Sequence, residues 1–116
     1  MNQIRHQDRL GWRAKIGVVT PSTNTIVEPE FHAMAPLGVT NHTARFLIPN
    51  MALNSNEDFE QLVVEIKATL DDAIDGLTPA AVDHVIIGIS AESFWDGADG
   101  ADKLQKRLEA KAGCTM

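Results

Sequence analysis

Two short β-branched runs, residues 15–20 and residues 82–89, bracket a long stretch with helical periodicity, and this alternation constrains the fold more than any other feature of the chain. Phe59, Leu62, Val63, Ile66, Leu70, Ala73, Ile74 and Leu77 line one helical face at spacings of three and four. The Asn54-Ser55-Asn56 cluster ahead of them is a helix-start signal, and the helix should stop near Gly76. An amphipathic helix is therefore expected between the two runs.

Residues 15–20 read as a strand that feeds the turn Pro21-Ser22-Thr23-Asn24. Ser22, Thr23 and Asn24 are all good N-caps, Glu28 and Glu30 suit a first helical turn, and Pro29 is tolerated there, so a short helix should reach about Met34, before Pro36 and Gly38. Residues 39–46 form a second strand whose poor alternation suits a sheet edge. Residues 82–89, bounded by Pro79 and Ser90, are nearly continuous in Val and Ile apart from Asp83, His84 and Gly88. That composition predicts the central strand, buried on both faces of a parallel sheet. A last helix spans residues 98–112, with Ala101, Leu104, Leu108 and Ala112 spaced by four and Gly113 as its stop, and Cys114-Thr115-Met116 would begin a further strand. The expected class is a doubly wound parallel α/β sheet of three strands and three helices with a fourth strand cut short. Residues 1–13 are a polar arm, and residues 14–116 one α/β unit whose sheet edge needs a partner or a continuation.

A chain of 116 residues suffices for one hydrophobic core. Sixteen acidic and ten basic residues give a net charge of −6, and the cations are scattered, so nucleic acid is not an expected partner. No apolar run approaches the roughly 20 residues of a bilayer span, and the polar start has no signal core; no membrane partner and a cytoplasmic location are expected. The single cysteine, Cys114, forms neither an intramolecular disulfide nor a zinc site. The loop after the first strand lacks the glycine patterns that cradle nucleotide phosphates.

Ligands of open parallel sheets bind outside the carboxyl ends of the strands, which singles out residues 21–24 and 88–97. The first turn places three small polar side chains and free N–H groups where a carboxylate can be held; simple N-capping is the competing reading. In the second, Gly88 allows close approach of a ligand and Ser90 and Ser93 can donate to it. Alternatively, Gly88 relieves helix-on-sheet packing while Phe94 and Trp95 plug the core. Asp96 reads better as a helix cap than as a pocket acid. Cys114 and His84 fall at strand starts, the end opposite the ligand edge, and read as structural; His32 and His42 have no metal-site pattern.

The run Gly17-Val18-Val19-Thr20-Pro21-Ser22-Thr23-Asn24-Thr25-Ile26-Val27-Glu28 resembles the opening motif of maleate cis-trans isomerases, in the aspartate/glutamate racemase superfamily. Gly88-Ile89-Ser90-Ala91-Glu92-Ser93-Phe94-Trp95-Asp96-Gly97 is similar to the corresponding loop of the arylmalonate decarboxylases, and residues 112–116 to the start of their next strand. The likeness covers the first half of a typical member. It implies a flavodoxin-like half-domain, no cofactor, and chemistry at the carbon next to a carboxylate of a small diacid or keto acid. It implies substrate binding by Pro21, Ser22, Asn24, Gly88, Ile89 and Ser90, with Asn24 holding a carboxylate and Ser90 donating to an enediolate. The family's first catalytic cysteine falls at Gly88, which removes a thiol suited to racemisation or adduct formation. Arylmalonate decarboxylases also carry glycine there, but Ile89 stands where they have threonine. No catalytic residue is thus expected in this chain alone. Its partners would be a small carboxylate substrate and a missing C-terminal half or a second copy; a noncatalytic module that dimerises through its open sheet edge is the competing reading.

Overall fold

The computed structural model describes residues 8–49, 54–88 and 97–116, with the side chains of residues 97–101 left out of the description. Strand β1 (Ala14–Pro21) leads to helix α1 (Val27–Met34), strand β2 (Val39–Phe46), helix α2 (Asn56–Leu77), a 3-10 turn (Thr78–Ala80), strand β3 (His84–Ile87) and helix α3 (Gly97–Ala112). The sheet is parallel throughout, in the order β2-β1-β3, and so the protein is α/β with three strands and three helices among the described residues. None of these helices is long and apolar enough to cross a membrane.

Local chemistry accounts for most boundaries. Ser55 caps α2, its Oγ accepting from the Asp58 N–H at 3.1 Å, while the Asp58 carboxylate accepts from the Asn54 N–H at 3.0 Å. These paired bonds satisfy N–H groups that the helix start leaves unused. The helix ends near Gly76, as expected: it reaches Leu77 and tightens into the 3-10 turn, and the chain leaves through Ala81 in the left-handed region at φ 54°. Pro79 in that turn supplies no N–H for continued α-helical bonding. Gly113, at φ 74°, ends α3 as expected, its N–H reaching the Glu109 carbonyl at 2.9 Å.

Three expectations for residues 82–89 need correction. The central strand is β1, which pairs with β2 over its full length and with β3 over four residues. Strand β3 is also shorter than the apolar run, because Asp83 joins β1 through its side chain: the carboxylate accepts from the Lys15 N–H at 2.8 Å, and the Asp83 N–H donates to the Lys15 carbonyl at 2.7 Å. Nor is β3 closed on both faces. Val85 is buried, but His84, Ile86 and Ile87 are only half-buried.

The outer side of β3 is engaged at one point. A parallel bridge joins His84 to Thr115, the Val85 N–H donates to the Thr115 carbonyl at 2.9 Å, and His84 Nδ1 lies 2.6 Å from Thr115 Oγ1. Thr115 thus makes a single parallel bridge where a fourth strand was expected to begin.

The core lies on one face of the sheet. Val19, Phe46 and Val85 pack with Ile66, Leu70, Ala73, Ile74 and Leu77 of α2 and with Leu104 and Leu108 of α3. Gly17 permits the close approach of α2, since a Cβ there would stand 2.9 Å from Leu77 Cδ1. The other face carries α1, in which no residue is buried. Its tie to the sheet is polar as well as apolar: Asn41 Nδ2 of β2 donates to the Phe31 carbonyl at 2.9 Å.

Candidate functional site

The carboxyl ends of β1 and β2 meet the start of α1 at the turn 21–24. The strand pairing runs as far as Pro21 opposite Phe46, and the Ser22 N–H continues it by donating to the Phe46 carbonyl at 2.9 Å. The Ser22 Oγ accepts from the Ile48 N–H at 2.9 Å. That bond engages an oxygen lone pair and leaves the hydroxyl hydrogen free to donate. Pro21 therefore ends the strand, and Ser22 fastens the turn to the segment after β2.

Asn24 shows how capping and recognition coexist in one side chain. Its Oδ1 accepts from both the Ile26 and Val27 N–H groups at 2.9 Å, which satisfies two of the orphan donors at the start of α1. With the carbonyl oxygen so committed, the amide nitrogen must face the other way. Its two N–H groups have no partner among the described residues and are oriented as donors. The capping reading is thus correct for one half of the amide and leaves the other half available.

Val27 links this turn to Gly88. The Gly88 N–H donates to the Val19 carbonyl at 2.6 Å, extending the β1–β3 pairing by one residue. A Cβ added at Gly88 would stand 3.0 Å from Val27 Cγ1 and 3.4 Å from the Val19 carbonyl oxygen. Glycine here accommodates close helix-on-sheet packing, and any Cβ at position 88 would require Val27 to shift by a few tenths of an ångström. Sequence reasoning left the two roles of Gly88 open and missed Val27; the signal was a β-branched residue in the first turn of a helix next to a strand-terminal glycine.

A second residue missed in the sequence is Arg45, near the end of β2 and opposite Thr20 in register. One guanidinium nitrogen, Nη2, donates to the Ser22 carbonyl at 3.0 Å and also to the Asn24 carbonyl. Arg45 forms no ion pair among the described residues. Thr20, on the same face, is fully buried, and its Oγ1 has no partner among the described residues; Thr43, two residues before Arg45 on β2, is half-buried, but its Oγ1 is likewise buried without a partner among them. No signal in single-sequence patterning distinguishes Arg45 from a solvated surface cation.

Ile89, Ser90, Ser93, Phe94, Trp95 and Asp96 lie outside the described residues, so the second loop enters this geometry only through Gly88. The two residues read as structural, Cys114 and His84, stand at the amino ends of the strands. Cys114 packs against the core, and burial together with Asp83 and Glu109 pushes its thiol pKa up, which disfavours the nucleophilic thiolate. A cavity of about 520 Å³ opens at this end, lined by Leu77, Val82, Val85, Ala112 and Cys114 among others. His42 Nε2 lies 2.8 Å from Thr40 Oγ1, His32 is exposed in the last turn of α1, and no three His, Cys, Asp or Glu side chains converge among the described residues.

The chain matches no protein-family model, and no curated protein matches it.

Proposed function

We propose that this chain is the N-terminal half of a cofactor-independent enzyme of the maleate isomerase and arylmalonate decarboxylase kind. It binds the carboxylate of a small diacid or keto acid at the carboxyl edge of its sheet, in a cytoplasmic setting. The supporting observation is the commitment of Asn24: with Oδ1 held by the Ile26 and Val27 N–H groups, the amide N–H groups are left as donors at this turn. Ser22 adds a hydroxyl hydrogen, and the first turn of α1 adds the positive end of a helix dipole. Donors without competing acceptors suit an anion. Pro21 shapes the turn, and the family resemblance assigns Ile89 and Ser90, with Gly88, to substrate binding, Ser90 as a donor to a developing enediolate.

Catalysis itself needs groups from beyond this chain. Its one cysteine sits at the opposite edge with a raised pKa, and glycine stands at the position of the family thiol, in close contact with Val27. The 116-residue chain is therefore expected to bind maleate or a phenylmalonate without turning it over. A chain continued through its natural downstream sequence is expected to catalyse isomerisation or decarboxylation, followed by absorbance or by carbon dioxide release. Turnover by the short chain, or none by the continued one, would overturn this reading.

A noncatalytic assembly module is the second reading, favoured by the outer edge of β2, which pairs with no other strand among the described residues. Native mass spectrometry at low micromolar concentration separates the two. A folded, strictly monomeric chain removes the module.

A further inference from the structure

We infer that Arg45 is the cation of this site, holding the Ser22–Asn24 turn with one nitrogen and selecting an ionised carboxylate with the others. The inference rests on the carboxylate-binding reading above and names what that site discriminates. A guanidinium carries five N–H donors. In Arg45 the Nη2 group is committed to the Ser22 and Asn24 carbonyls, whereas the Nη1 and Nε N–H groups have no partner among the described residues. Backbone carbonyls satisfy hydrogen bonds but do not neutralise charge. The guanidinium therefore keeps its full positive charge beside the Asn24 backbone, in a protein whose net charge is −6.

The fixed nitrogen gives this charge a function that a solvated lysine would lack. Arg45 cannot swing away without releasing both carbonyls, so its remaining donors stay at the strand end beside Asn24. Thr20 lies opposite Arg45 in register on the α1 face, so the charge stands at the end of a strand pair whose neighbouring position is fully buried, with a hydroxyl that has no partner among the described residues. Arg45 is exposed, so the site is open to solvent, and a fixed, charged, hydrogen-bonded donor there still discriminates a carboxylate from the isosteric amide, because the amide brings no charge to meet it.

The test is calorimetric binding of maleate and of its uncharged diamide to the 116-residue chain. Arg45→Gln is expected to weaken maleate by about tenfold to a hundredfold and to leave the diamide nearly unchanged, with Arg45→Lys recovering part of the loss. Equal weakening of both probes reduces Arg45 to a brace for the turn and overturns its role in selection. An unchanged maleate affinity overturns it too, yet leaves the carboxylate site standing. No maleate binding by the parent chain at millimolar concentration overturns both the inference and the reading beneath it. Should Arg45→Gln fail to fold, the parent chain still decides: added salt must weaken maleate and spare the diamide, and a salt-insensitive maleate affinity counts against the charge.

Discussion

On the sheet face covered by α2 and α3, Val19, Phe46 and Val85 meet Leu70, Ile74 and Leu108 with almost no exposure; on the opposite face α1 buries none of its own residues, and two buried threonine hydroxyls lack partners among the described residues. The same three strands supply both surfaces, because successive side chains alternate between them. Even numbers from Ile16 to Thr20 face α1, and odd numbers face the core, as the register and the core contacts require. One face is organised for stability. The other concentrates Asn24, Arg45, Thr20 and Gly88, where the candidate chemistry is. Stable burial and available polar groups conflict within one surface, and this chain assigns them to opposite sides.

The largest effect should come from the packed face. Leu70→Ala, at a fully buried position of α2, is expected to cost about 2–5 kcal/mol in urea denaturation, through lost burial and the cavity left behind. A cost below about 1 kcal/mol would mean that this face is no more of a core than the other.

Gly88→Ala probes the seam between the faces. The new methyl would meet Val27 Cγ1 at 3.0 Å, so a destabilisation of about 1–2 kcal/mol is expected. In a double-mutant cycle with Val27→Ala, about 1 kcal/mol of coupling should appear. Strict additivity would sever the link drawn between Gly88 and α1.

Thr20→Val sharpens the contrast in the other direction. Replacing an unpartnered buried hydroxyl by a methyl should stabilise the chain by about 1 kcal/mol while preserving its shape. Destabilisation would reveal a hydrogen-bond partner for Thr20. The smallest effect is expected for Met34→Ser in α1, where the side chain is 67% exposed: a change within about 0.5 kcal/mol.

Much of the architecture was legible beforehand because local signals and burial agreed. The α2 periodicity, its Ser55 cap, the Gly113 stop and the edge position of β2 each follow from side-chain type and spacing. The errors arose where a tertiary contact overrode local propensity. Asp83 lies in an apolar run yet takes a ladder position with its carboxylate, and residues 82–89 looked central although β1 has that place. The candidate site was legible as a turn of capping residues, but Asn24's two roles were separable only once its Oδ1 had a known partner.

By itself, the sequence determined the order of strands and helices, the parallel α/β class and the glycine at position 88, because backbone propensity and hydrophobic period act over a few residues. Only the tertiary structure decided that α1 packs on the face opposite the core, that Val27 stands against Gly88 and that Arg45 reaches the Ser22–Asn24 turn. These contacts join residues that are 21 to 61 positions apart, taking Asn24 to Arg45 and Val27 to Gly88 as the extremes. Strand register brings them together, and no local pattern encodes that distance.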